Sequence, residues 1–319
     1  LTKLLARFAE DIYWMARYVE RAENLARILD VNETFARSSQ GEQEWLPVVQ
    51  LYADDARFLD KHKRATAAAV VDFYVLDREN PASIVSVIHA ARENARALRH
   101  LISTEMWQQL NVLHRDLNDL RKRDVTLPKL SGICNRIKER CQTNIGVTEG
   151  TLYRDEAWCF YQIGKYVERA DQTSRLLDMR YHRMKNREAG LAGGADVSEW
   201  NALLRSVAGY QAFRRAHPLN ISVEHVAAFL VFDDNFPRSI AGSLQNVQDM
   251  FAELEDEHGL PPGRRAKSIL KRLHTMLHPG TTAKVRRDIK VLHQFVDRVQ
   301  LSLIDLGDEM GQTYFAHGT

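Results

Sequence analysis

The stretch Ile12–Asn24, IYWMARYVERAEN, returns at Phe160–Gln172 as FYQIGKYVERADQ, and any fold for this chain must house both copies. Tyr18-Val19-Glu20-Arg21-Ala22 recurs letter for letter as Tyr166-Val167-Glu168-Arg169-Ala170. Around that core the polar residues repeat in kind. Arg17, Glu20, Arg21, Asn24 and Arg27 answer to Lys165, Glu168, Arg169, Gln172 and Arg175. Positions 17, 20, 24 and 27 share one face of a helix, because side chains three and four residues apart stand one above the other. That face carries a carboxylate flanked by cations and an amide, within segments otherwise rich in Tyr, Trp, Met, Val, Ile and Leu. Such groups are costly to bury unpaired, so each stripe is either a satisfied internal network or a ligand site.

A second pair of motifs follows in the same order. Asp77-Arg78-Glu79-Asn80-Pro81-Ala82-Ser83-Ile84 aligns with Asp233-Asp234-Asn235-Phe236-Pro237-Arg238-Ser239-Ile240, both of the form D-x-x-x-P-x-S-I. The register offset is larger here than at Glu20/Glu168, and the Gly190–Gly194 connection can hold most of the extra residues. Two ordered matches with one insertion between them indicate an internal duplication. The expected fold is all-α: two internally duplicated helical bundles, residues 1–150 and 151–319, packed as one body. Each would be built around a long helix bearing an E-R motif.

Hydrophobic periodicity predicts a first helix over Thr2–Arg37, a second over Trp45–Leu59 and a third over Ala65–Leu76, the last with some strand character. Asn80 and Pro81 suit the N-cap and first helical position of a helix reaching Ile102. Further helices are expected from Ser103 to Arg123 and, shorter, within Lys129–Gly150. The second half repeats the plan over Tyr153–Arg187, from Trp200, and over Val223–Phe232. Pro261–His278 and Thr281–Gly311 complete it.

Composition excludes several classes. A net charge of +2 gives little bulk attraction for nucleic acid. The basic residues between Arg264 and Lys290 read as a solvated face or a docking surface for an acidic partner, so no nucleic-acid partner is expected. Three cysteines, Cys134, Cys141 and Cys159, with no C-x-x-C argue against a disulfide framework and a thiolate zinc site. No apolar run is long enough to span a bilayer, and the charges in LTKLLARFAED come too early for a secretory signal. A cytoplasmic location without membrane association is the expectation.

Four motifs in order, YWMARYVERAEN, ENARALRHLISTEMWQQLN at Glu93–Asn111, the second YVERAD and FDDNFPRSI at Phe232–Ile240, resemble the Alpha-E family. This is a bacterial all-helical domain with an E-R motif, long catalogued as a domain of unknown function. The resemblance covers roughly the full chain. It implies association with a circularly permuted ATP-grasp protein, and hence a place in a peptide- or amide-ligating system. ATP would be used by that partner, and this chain would need no cofactor of its own. A small amino acid or peptide is the substrate class implied.

Read for chemistry, the two stripes form a polar pocket between the long helices or a buried ion-pair network that docks the repeats. In the pocket reading Arg17, Arg21, Lys165 and Arg169 bind carboxylate or phosphate. Asn24 and Gln172 assist, and Glu20 or Glu168 holds an amine or acts catalytically. Ser83 and Ser239, with Asp77, Asp233 and Arg238, stand at helix starts and are either anion-binding turns or plain caps. Asn94, Arg96, Glu105 and Trp107 indicate a mixed interface, with Trp107 expected in the core. His274 and His278 are four apart, but the glutamate of H-E-x-x-H is absent and no metal site is expected. No glycine-rich nucleotide loop and no G-x-S-x-G elbow is present, so no familiar catalytic motif settles whether the chain is an enzyme.

Overall fold

The computed structural model describes residues 4–38, 45–188, 196–218, 222–277 and 289–316. His278, Pro279, the Gly190–Gly194 connection and the basic residues Lys284, Arg286 and Arg287 lie outside the described residues. Within them the chain is all-α, with α1 Ala6–Ser38, α2 Leu46–Leu51, α3 Asp55–Lys61, α4 Ala67–Val75, α5 Ile84–Ala97, α6 Thr104–Asn118 and α7 Leu127–Thr151. These are followed by α8 Glu156–Glu188, α9 Asp196–Ser206, α10 Tyr210–Ala216, α11 Val223–Phe232, α12 Ile240–Asp256, α13 Arg264–Met276 and α14 Ile289–Tyr314.

The chain divides into two compact units. One is Trp14–Arg154; the other joins Leu1–Tyr13 to Asp155–Thr319. The long helix α1 therefore contributes its first turns to the second unit and the remainder, with the first E-R motif, to the first unit.

In the first unit, α5 packs on α6 and α6 on α7. Its core includes Val70, Phe73, Tyr74, Val87, Ile88, Met106 and Leu110, all fully buried. The segment expected as one helix from Trp45 is broken in two. Ala53 adopts φ 53°, a left-handed conformation no helix interior holds, and α3 restarts two residues later. Phe58 of α3 then packs edge-on against Phe73 of α4, with ring centroids 5.2 Å apart, and against His62 at 4.8 Å. Burying a side chain of this size contributes about 1.5–3 kcal/mol.

The second unit is organised on α8, which packs against α12 and α14. Its short helices repeat the same local device. Ala208 stands at φ 56° two residues before α10, and Phe213 meets Phe229 at 5.4 Å and His217 at 4.9 Å. Where α8 meets the first turns of α1, Gly164 removes the side chain that would otherwise obstruct Tyr13. Leu4 N–H also donates to Glu156 Oε2 at 3.0 Å.

Two boundaries differ from the sequence reading. Asn80 does not cap α5: its amide donates to Phe73 O at 3.0 Å and its carbonyl accepts Ala82 N–H at 3.0 Å, so it braces the turn. Ser83 is the cap, and Pro81 lies in the turn before it. The helix expected within Lys129–Gly150 runs the full Leu127–Thr151, because Pro128 sits in its first turn and Gly132 and Gly146 are carried as interior residues.

Candidate functional site

Each E-R motif sits within a 33-residue helix, and the period of 3.6 sends its glutamate and arginine to different surroundings. Glu20 and Glu168 are both 0% exposed. Each accepts a hydrogen bond from the amide one turn on: Asn24 Nδ2 to Glu20 Oε1 at 3.4 Å, and Gln172 Nε2 to Glu168 Oε1 at 3.3 Å. The Glu/Asn pair and the Glu/Gln pair are thus the same device built twice.

The next acidic position deepens it. Glu23 pairs with Arg27 and accepts Gln142 Nε2 of α7 at 3.0 Å. Its counterpart Asp171 pairs with Arg175 Nε at 2.8 Å. Burial, with Glu23 and Glu20 nearby, pushes the Cys141 thiol of α7 well above the ordinary range. Asp30, two turns further along α1, accepts Ser131 Oγ and Lys138 Nζ of α7, both at 2.6 Å. The carboxylates of α1 thus fix how it lies along α7.

The cations of both motifs lie over aromatic rings. Arg17 stands 4.7 Å from the Trp14 ring centre, Arg21 5.9 Å from that of Tyr18, and Trp14 and Tyr18 stack at 5.5 Å. In the second unit Lys165 and Arg169 stand over Tyr166 at 4.6 and 5.4 Å. A ring face attracts a cation and holds it extended. Lys165 is 3% exposed, a difference from the half-buried Arg17. The first stripe belongs to the Trp14–Arg154 unit, the second to the other.

The D-x-x-x-P-x-S-I turns are helix caps in both units. Ser83 Oγ accepts Ser86 N–H at 3.3 Å, and Ser239 Oγ accepts Gly242 N–H at 2.9 Å. Asp77 and Asp233 each accept a backbone N–H two residues on, from Glu79 and Asn235, at 2.9 Å. Burial raises the Asp77 carboxyl, but Lys61 at 2.8 Å and the backbone amides of Glu79 and Asn80 outweigh it and hold it below the usual carboxylate range. Arg238 reaches the E-R helix through its backbone, where its carbonyl accepts Thr173 Oγ1 at 2.8 Å, one residue past Gln172.

Several arrangements were not legible in the sequence. Trp107 is half-buried rather than in the core, with Arg92 and Arg99 each 5.3 Å from its ring. Arg92 also donates to Asn111 Oδ1 at 2.9 Å. Among the described residues, two groups bring potential metal ligands within 4.8 Å of one another: Cys159, Glu253 and His258, and Asp178, His293 and Asp297. In the second group the imidazole meets a different carboxylate at each nitrogen, Asp178 at 2.6 Å from Nδ1 and Asp297 at 3.6 Å from Nε2. Its ring stacks on Tyr181 at 4.4 Å. The four-residue step from His293 to Asp297 was the signal available for it; Cys159 and Glu253 share no such spacing. No helix among the described residues is long and apolar enough to cross a membrane.

The chain is 24% identical over 335 aligned positions to an uncharacterized protein of Mycobacterium bovis and to uncharacterized proteins of two strains of Mycobacterium tuberculosis. The alignments cover 97% of this chain and 37% of each relative, so the chain spans little more than a third of the curated relatives it matches. No solved structure matches. The family model for Alpha-E, described as a predicted alpha-helical domain with a conserved ER motif, matches residues 4–315. With the repeated E-R device inside that span, the chain belongs to the Alpha-E family.

Proposed function

We propose that this chain is a binding component of an ATP-grasp-associated peptide- or amide-ligating system, in which the E-R motifs engage the substrate. The cations Arg17 and Arg21, with Asn24, and Lys165 and Arg169, with Gln172, hold a carboxylate or phosphate of an amino-acid or peptide substrate. Glu20 and Glu168 hold the helices that present them. The turns at Asp77 and Ser83, and at Asp233, Arg238 and Ser239, position the flanking helices. The partner is a circularly permuted ATP-grasp protein, which uses the ATP. The observation that carries this reading is the division of labour in each motif: a fully buried glutamate bonded to an amide, and an arginine laid over the motif's own tyrosine.

We also infer that the two halves, residues 1–150 and 151–319, descend from one duplicated helical bundle. Supporting it are the paired φ values of Ala53 and Ala208, the matching Phe58–His62–Phe73 and Phe213–His217–Phe229 ring groups, and the twin serine caps.

The test is reconstitution with a circularly permuted ATP-grasp protein and amino-acid mixtures, following ATP consumption and new product masses. A product that forms only with this chain present supports the reading; identical products without it overturn it. A second reading, a helical scaffold whose charges serve folding and partner docking alone, is favoured by the zero exposure of both glutamates. Arg21→Ala separates them further: lost product at unchanged melting belongs to the binding site, native product yield to the scaffold.

A further inference from the structure

The E-R motifs leave unexplained a buried thiol that faces a carboxylate and an imidazole in the second unit. Cys159 lies near the start of α8 and is 0% exposed. Glu253 belongs to the last turn of α12, and His258 to the turn that follows. That turn is well fixed. Glu257 N–H donates to Glu253 O at 2.9 Å, Leu260 N–H to Leu254 O at 2.8 Å, and Tyr314 of α14 donates its hydroxyl to Leu260 O at 3.2 Å. Gly259 takes φ +64°, a left-handed position that reverses the chain directly after His258. The thiol sulfur, a carboxylate oxygen and an imidazole nitrogen thereby come within 4.8 Å of one another.

We propose that Cys159, Glu253 and His258 form a binding site for a zinc-class divalent ion, independent of the E-R motifs. One thiolate, one imidazole and one carboxylate are a donor set that suits zinc, with a fourth position left for water. Ligand atoms around a tetrahedral zinc stand about 3–4 Å apart, so the three groups need to close by only about an ångström. Glu253 and His258 are half-buried and can supply that movement.

A divalent ion balances thiolate and carboxylate to a neutral set, with a neutral imidazole as third ligand and the thiol proton released to solvent. The Asp178–His293–Asp297 group offers a different donor set, with no thiolate in it.

The full chain, stripped with chelator, is titrated with Co²⁺ alone and then with Zn²⁺. The expected result is one Co²⁺ per chain with a thiolate-to-cobalt charge-transfer band, displaced by Zn²⁺ and unaffected by Cys134→Ala/Cys141→Ala. Cys159→Ala should abolish the band, and His258→Ala should weaken binding about 100-fold or more, the upper end of what even a supporting residue contributes. Zn²⁺ should raise the melting temperature of the native chain and not that of His258→Ala, which keeps the proposal testable if Cys159→Ala fails to fold. Absence of stoichiometric binding, a band that survives Cys159→Ala, or native affinity in His258→Ala overturns it.

Discussion

Gly164 of α8 meets the backbone of Tyr13 so closely that a Cβ would overlap the Tyr13 carbonyl oxygen and stand 3.1 Å from its carbonyl carbon. The obstacle is main chain, which cannot rotate aside as a flexible side chain would. Gly164→Ala therefore forces the first turns of α1 off α8, despite alanine's better helix propensity. A loss of about 1–3 kcal/mol is expected, the usual range for overpacking, measured as a lower denaturation midpoint. A gain in stability would show that this crossing relaxes freely.

The paired ring groups predict paired losses. Phe58→Ala and Phe213→Ala remove fully buried rings from matched settings. Each should cost about 3–5 kcal/mol by chemical denaturation. A large loss at one position with none at the other would speak against equivalent roles.

The caps predict a smaller, local effect. Ser239→Ala removes the acceptor for Gly242 N–H and the donor to Asp233 O at 2.6 Å. About 1 kcal/mol of stability should be lost. Ser239→Asp, which keeps an acceptor at the cap, should recover part of it.

Asp77 makes stability pH-dependent in a defined direction. Its carboxyl sits lower in the folded chain than in the unfolded chain. Its contribution is therefore present above the ordinary carboxylate range and lost as pH falls through the folded value. The difference in stability between the native chain and Asp77→Asn should be largest near neutrality and shrink on acidification. A difference that grows toward low pH contradicts the Lys61 pairing.

Cys134 is held in α7 as a thiol pushed up to about 12, by burial first and then by Asp30. It should resist alkylation near pH 8 in the native chain and react on unfolding, as a mass-resolved labelling time course would report.

The sequence made the large pattern readable because it is written in short-range terms. Helical spacing put Glu20, Asn24 and Arg27 on one face, and the apolar run Val226–Phe232 falls within α11. Where long-range packing decides, the reading fell short. Phe58 docks against Phe73 after the break at Ala53, a pairing distant in sequence, and the move of the cap from Asn80 to Ser83 goes with Phe73 O accepting the Asn80 amide. Residue type alone places Trp107 in the core, whereas it is half-buried with Arg92 and Arg99 over its ring. The Cys159 cluster needed α8 and the end of α12 to be brought together, which no spacing announces.

The most direct test is the yield of ATP-dependent product in the reconstituted mixture with the ATP-grasp protein, comparing the native chain with Arg21→Ala/Arg169→Ala. Binding of the substrate anion by the E-R arginines predicts product lost while the melting temperature holds. Native yield from the double variant would contradict it.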